Sequence, residues 1–287
     1  MAESEETAQE FMSSMALIRE AVIAEVSESR EKLTPPELEK RLKQRLGARK
    51  TAIKTAIRKL VDDQELSYSY HYGCSFLEIS FNKPTRISDR VVLKPPGTQY
   101  MPVSNEVVID IQPGASFGSG DHPTTRLAVR GIEQALSRHG FFHNKKDWPA
   151  LDIGTGSGVL AIVAALLGAT RVIGVDIDPC AIAEAKKNVH LNNLEHRIKI
   201  RDWKVETIDQ TFALITANLR YPTIGRLSAR IAQITRIGGV FIVSGIKLGE
   251  VSDIIRVYAQ HRFECIWKAH EKDWAGLVLA RCNYIGG

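Results

Sequence analysis

The sequence predicts an α/β chain in two parts, a small helical module ending in a β-hairpin and then a parallel sheet with helices on both faces. Three observations carry this. Apolar residues recur at spacings of three and four through much of the first sixty residues, as on one face of a helix. Two runs near residue 70 then favour strands, the first alternating with period two. From about residue 150, short apolar strands alternate with helical segments, and the first of those strands runs into a glycine-rich turn.

The length of 287 residues suits one large domain or two modest ones. Hydrophobic residues at 44% and charged residues at 25% exclude a disordered chain. The longest apolar run, Val159 to Ala169, is shorter than the roughly 20 residues a membrane helix needs. The opening MAESEETAQE is acidic and lacks the apolar core of a secretory signal. Cys74, Cys180, Cys265 and Cys282 form no C-x-x-C pair, which argues against a zinc site and a disulfide framework and fits a reduced cytoplasm. A net charge of +5 hints at an anionic partner.

Residues 1–12 read as a disordered acidic tail, and 13–84 as the first domain. Met15, Ile18, Val22 and Val26 mark a first helix. Thr34-Pro35-Pro36-Glu37 is a capping-box pattern opening a second, with Leu38, Leu42 and Leu46 on one face and Gly47 as its stop. A third runs from about Arg49 to Asp62, with Ile53, Ile57, Leu60 and Val61 inward. Leu66–Tyr72 and Phe76–Phe81 are strands broken by Gly73. This order is that of a winged helix, a helix-turn-helix variant. The third helix carries Arg49, Lys50, Lys54, Arg58 and Lys59, which suits phosphate contact or, equally, a solvated polar face.

The second domain, 85–287, begins with strands at Val91–Leu93 and Val107–Ile109. Strands are then expected at Ala150–Ile153, Arg171–Val175, Ile198–Ile200, Phe212–Thr216 and Val240–Ser244, with helices at Val159–Leu167, Pro179–Leu191, Thr223–Thr235 and Leu248–Gln260.

The chemistry concentrates at Leu151-Asp152-Ile153-Gly154-Thr155-Gly156-Ser157-Gly158. Glycines let backbone turn tightly and approach a ligand. The spacing is G-x-G-x-G rather than the dinucleotide G-x-G-x-x-G, and no Lys-Ser/Thr follows, which excludes a P-loop. Asp176 ends the next strand, where a carboxylate can accept ribose hydroxyls.

These residues resemble motif I and the following acidic motif of class I S-adenosylmethionine-dependent methyltransferases. Phe117-Gly118-Ser119-Gly120-Asp121-His122-Pro123-Thr124-Thr125, preceded by Ile111-Gln112-Pro113-Gly114, is similar to the F-G-T-G-x-H-x-T-T signature of the ribosomal protein L-eleven methyltransferase (PrmA) family. Gly174 to Pro179, Ala217-Asn218-Leu219, Gly239 to Gly245 and Trp274 to Leu279 fit the same family.

The resemblance implies a Rossmann-like seven-stranded methyltransferase sheet and S-adenosyl-L-methionine as cofactor. Asp152 is then expected near the methionine ammonium, with the Gly154, Thr155, Gly156 and Gly158 backbone beneath the methionine moiety. Asp176 and Ile177 hold the ribose, and Asp202 and Trp203 meet the adenine. Phe117, Thr125 and Asn218 complete the cofactor set, and Asn218 is the candidate catalytic residue. His122 suits a general base or a cap on the helix that follows it, and the structural role is preferred. Ser119 and Asp121 depart from the signature. Residues 13–82 depart more, because the family carries an N-terminal α/β module where a winged helix is expected here.

The implied reaction is attack by an acceptor lone pair on the activated methyl, helped mainly by proximity and orientation. The expected acceptor is a protein lysine or amino terminus, with a ribosomal protein as substrate. Deprotonating a lysine of pKa about 10.4 at pH 7 costs roughly 4.6 kcal/mol, which burial lowers. The alternatives are an RNA or DNA methyltransferase guided by the winged helix, and a cofactor-sensing regulator. Asn218-Leu219-Arg220-Tyr221 keeps the Asn and Tyr, but neither proline, of the Asn-Pro-Pro-Tyr motif for planar nitrogens. The balance of the module's charges tilts its expected partner towards protein. No metal and no membrane contact are expected.

Overall fold

The structure, a computed structural model, describes residues 15–283 apart from 28, 30–31, 72, 81–82, 113–121 and 138–146. The expected tail over 1–12 lies outside the described residues. The chain divides into two compact units, Met1–Lys83 and Pro84–Gly287. Among the described residues no helix is long and apolar enough to cross a membrane.

In the first unit three helices precede a hairpin. Helix α1 spans residues 15–27 and buries Ile18, Ala21 and Val22. Helix α2, Pro35–Leu46, starts at Thr34, whose backbone N–H donates to the Glu37 carboxylate at 2.9 Å. It stops at Gly47, where φ is +63°. Helix α3, Lys50–Asp62, buries Ile53, Ala56, Ile57 and Leu60. Strands β1, Leu66–His71, and β2, Cys74–Ile79, pair antiparallel. Leu33, between α1 and α2, adds an antiparallel bridge to Leu77, whose N–H donates to its carbonyl at 2.9 Å. A single isolated residue carries no period, so nothing in the local pattern announces that bridge.

The second unit opens with a small sheet of β3 (Thr85–Arg86), β4 (Val91–Lys94) and β5 (Val107–Asp110). Helix α4, Pro123–Ser137, follows. Then come β6 (Ala150–Ile153), α5 (Val159–Leu166), β7 (Val172–Val175), α6 (Pro179–Leu191), β8 (Ile198–Arg201) and β9 (Phe212–Asn218). The chain ends through α7 (Tyr221–Arg226), α8 (Ser228–Ile234), β10 (Thr235–Lys247), α9 (Val251–Ala259), β11 (Phe263–Glu271) and β12 (Trp274–Arg281). The large sheet has seven strands in the order β11-β12-β10-β9-β6-β7-β8, parallel from β10 to β8 and antiparallel where β12 meets β10 and β11.

Side chains alternate between two cores, as a strand's period of two requires. On β10, Val240 and Ile242 pack with α4, α5 and α6, while Phe241 and Val243 pack with α7, α8 and α9. The chain order puts β6 between β7 on one side and β9 on the other. Successive connections therefore leave its carboxyl end in opposite directions, which opens the crevice where open α/β sheets bind ligands.

Three expectations need correction. The helix expected over Thr223–Thr235 is two short helices joined at Leu227, starting two residues earlier at Tyr221. Strand β10 starts at Thr235 rather than Val240, because pairing with β9 skips from Thr235 to Val240. A Cβ on Gly239 would lie 2.9 Å from the Ala213 carbonyl, so the irregular segment tolerates only glycine there. Strand β11 was not expected, since this edge strand interrupts its apolar residues with Glu264, Lys268 and His270.

Tyr258 of α9 fastens the helix layer under the crevice. Its hydroxyl donates to the Ile224 carbonyl of α7 at 2.9 Å, and its ring packs on Phe241 and Phe263 at 5.1 and 5.5 Å. Tyr258→Phe keeps the ring and removes one buried hydrogen bond. Chemical denaturation should show a loss of about 1 kcal/mol in stability.

Candidate active site

The β6–α5 turn is a left-handed backbone held from three sides. Gly154, Gly156 and Gly158 have φ of +68°, +54° and +83°, a region L side chains rarely adopt. The N–H groups of Gly154 and Thr155 both donate to the Val175 carbonyl, at 2.9 and 3.0 Å, which ties the turn to the end of β7. From α6, the Asn188 amide donates to the Ser157 carbonyl at 2.9 Å. A Cβ on Gly158 would lie 3.2 Å from Cα and Cβ of Ala185, so α5 and α6 close together because that side chain is missing.

Asp152 lies beneath this turn and is 1% exposed. Its carboxylate accepts from the Thr155 and Thr216 hydroxyls, both at 2.7 Å. Burial pushes the carboxyl up to about 6; the hydrogen bonds from Thr216, Thr155 and the Ala161 backbone oppose the rise, and the Asp176 charge adds to it. Asp152 does not line the crevice, and neither do Thr155 and Gly158; all three support the turn rather than face the cavity.

Above the turn lies a cavity of about 530 Å³, formed by the carboxyl ends of β6, β7 and β9, the loop after β8, and helix α7. Of the residues singled out in the sequence, Gly154, Gly156, Asp176, Ile177, Trp203 and Asn218 line it together. The Asp176 carboxylate accepts backbone N–H groups from Gly156 at 2.9 Å, Ile177 at 2.8 Å and Asp178 at 3.1 Å, which fixes its direction. The Trp203 ring carries the Arg201 guanidinium 5.8 Å from its centroid. Asp202 is exposed and is not part of the lining.

Asn218 ends β9 and pairs in register with Ser244 of β10. The neighbouring Gly245 makes room for it, since a Cβ there would lie 2.9 Å from Asn218 Oδ1. The Ser244 hydroxyl donates to the Thr124 carbonyl at 2.9 Å, which brings the start of α4 to this strand end. Next to it, the Thr125 hydroxyl is buried and has no hydrogen-bond partner among the described residues. His122 takes its structural role. Its Nδ1 lies 2.8 Å from the Thr124 hydroxyl and accepts the Thr124 N–H at 3.3 Å, and its ring meets Trp274 edge-on at 5.1 Å. Phe117 and residues 113–121 of the signature lie outside the described residues.

Several lining residues were missed. Asp178 caps α6 by accepting the Cys180 N–H at 2.8 Å, a role its Asp-Pro pair could have signalled. Lys204, Glu206, Leu219 and Arg226 also line the cavity. Arg226 arrives from α7 across the crevice, and no local pattern announces it. Tyr221 instead packs against the apolar core and is not among the lining residues, which removes the aromatic half of the planar-nitrogen motif.

A family model described as ribosomal protein L11 methyltransferase (PrmA) matches residues 78–282. A curated relative of that name from Heliobacterium modesticaldum is 36% identical over 205 residues, covering 71% of this chain and 62% of its own. Another from Alkaliphilus oremlandii is 35% identical over 199 residues, covering 69% and 61%. The chain thus spans about three fifths of the length of these curated relatives. The crystal structure of a ribosomal protein L11 methylase from Lactobacillus delbrueckii subsp. bulgaricus is 30% identical with a TM-score of 0.62, covering 70% of this chain and 100% of that one.

The buried Asp152 makes stability depend on pH. Its folded pKa, about 6, is raised above that of the unfolded chain. The folded state therefore holds this proton more tightly, and its contribution is complete below about pH 4 and lost as pH rises through 6, a span on the order of 3 kcal/mol. Asp152→Asn keeps the shape without the titration. Thermal melts from pH 4 to pH 7.5 should show the variant gaining stability relative to wild type as pH rises.

Proposed function

Because the chain belongs to the ribosomal protein L11 methyltransferase (PrmA) family, we propose that it is an S-adenosylmethionine-dependent methyltransferase acting on an amine of a ribosomal protein. The observation that carries this reading is the joint lining of one cavity by the Gly154–Gly156 turn, Asp176 and Asn218. When bound, the cofactor supplies a methyl group activated by a positively charged sulfur.

The residues fit such a cofactor. The left-handed turn offers bare backbone where any side chain would intrude: a Cβ on Gly154 would lie 2.6 Å from the Leu219 side chain. No cluster of lysines or arginines sits in the turn, as suits a ligand with no phosphate. Asp176, braced by three backbone N–H groups, accepts the ribose hydroxyls, with Ile177 covering the sugar. Trp203 of the lining would hold the base, with Asp202 beside it in the exposed loop after β8. The Thr125 hydroxyl, buried and without a hydrogen-bond partner among the described residues, is a group that a polar ligand atom would satisfy. Asp152 acts from beneath, holding the turn that meets the methionine end rather than touching it.

Asn218 receives the acceptor. Its amide at the strand end orients the acceptor nitrogen, and Gly245 keeps that amide accessible. A lysine acceptor loses its proton on leaving water for the cavity, since burial disfavours the ammonium form. Orientation and desolvation account for this chemistry without a dedicated base, in keeping with the capping role of His122.

The first unit is proposed to be a winged-helix-like recognition domain in place of the family's N-terminal module. Its three helices, hairpin and Leu33–Leu77 bridge support that reading.

Asp176→Ala should weaken S-adenosylmethionine binding by about 1–3 kcal/mol, a roughly five- to 150-fold loss measured by calorimetry on a protein whose melting curve shows it folded. Asn218→Ala should also weaken that affinity, since Asn218 lines the same cavity. It should lower the rate of radiolabelled methyl transfer into a ribosomal protein fraction by about 100-fold, because the acceptor is no longer oriented.

A further inference from the structure

We propose that the exposed face of α3 is a docking surface for duplex DNA. The charge pattern of the helix pair is the first ground. From Pro35 to Asp62 there are nine lysines and arginines against Glu37, Glu39 and Asp62. The solvent face of α3 presents Lys50, Thr51, Lys54, Thr55, Arg58 and Lys59, all exposed, and no carboxylate until the helix ends at Asp62. A face kept soluble by charge alone ordinarily mixes signs at spacings of three and four. This one carries cations and hydroxyls, the groups that bind phosphate.

The carboxylates of the helix pair leave this face free. Glu37 is engaged with Thr34 at the start of α2. Glu25 of α1 takes Arg41 and Arg45, on the other helix, at 3.3 and 3.0 Å. Glu39 reaches Lys50 and Lys54 at 3.3 and 3.9 Å from below, its side chain 11% exposed while theirs are 66% and 59% exposed. Ammonium groups that stay exposed to water are held only loosely by such pairs. Both ammonium groups therefore remain available to a phosphate, already aligned along one ridge.

Shape supplies the second ground. Helices α2 and α3 are joined by a three-residue turn through Gly47, the arrangement that lets the second helix project. The hairpin adds Tyr68 and Tyr70, 55% and 72% exposed, two residues apart and so on one side of β1. A projecting helix fits the wide major groove of B-form DNA. The deep, narrow major groove of A-form RNA does not admit it. The duplex is accordingly DNA, gripped through its backbone phosphates by α3.

The test uses the full chain and a labelled mixed-sequence 20-base-pair DNA duplex, followed by fluorescence anisotropy from 50 to 200 mM salt. Binding should weaken with salt, with a log–log slope of about −0.9 for each phosphate contacted. Lys54→Ala/Arg58→Ala should reduce that slope by about two, whatever the sequence. Lys186→Ala/Lys187→Ala, an equal charge change on exposed residues of α6, should leave it unchanged. Absence of salt-dependent binding overturns the proposal. An equal change in both double variants overturns it in favour of diffuse attraction by net charge. Tighter binding to a duplex RNA of the same sequence overturns it in favour of an RNA partner. Circular dichroism melts confirm that each variant is folded.

Discussion

The carboxylate of Asp152 is sealed under the β6–α5 turn, and the rest of the site depends on how it is satisfied. A buried charge must be hydrogen-bonded or it will not be tolerated. Thr155 reaches it from the turn and Thr216 from β9, so one side chain joins the two neighbouring strand ends and the loop between the cavity and the core. Gly174 on β7 completes the arrangement by absence, because a Cβ there would lie 2.8 Å from the Thr155 hydroxyl. The turn above is thereby held in a left-handed course that presents backbone, not side chains, to the cavity. Asp176 then braces it from the next strand through the Gly156 N–H.

Much of this was legible in the sequence because it depends on local pattern. A glycine-rich turn after an apolar strand, and a carboxylate at the end of the next strand, announce a crevice at the carboxyl edge of a parallel sheet. The helix boundaries at Thr34, Gly47 and Pro179 were readable for the same reason, since capping chemistry is confined to a few adjacent residues. What escaped depends on distant pairing. Arg226 enters the cavity only because α7 crosses it. The hydrogen bond that Asp152 accepts from Thr216, 64 positions away, has no local signal. Strand β11 is recognisable only through its pairing with β12.

The two units divide the physical work. The second gathers fixed backbone and the carboxylates of Asp176, Asp178 and Glu206 around one crevice, where partial withdrawal from water strengthens each polar contact. The first presents exposed cations on α3, where water and salt weaken each contact.

The contact between Gly158 and Ala185 has a consequence for how such a chain can change over generations. Gly158 caps α5 and Ala185 lies within α6, and a Cβ built on the first would lie 3.2 Å from Cα and Cβ of the second. A larger residue at either position pushes α6 away from the turn before any partner can adjust. Each position therefore restricts drift at the other, and a route to a bulkier pair passes through an intermediate with a displaced loop. Descendants of this sequence can remodel their surfaces and exchange their first unit freely, while this small-residue pair stays as it is.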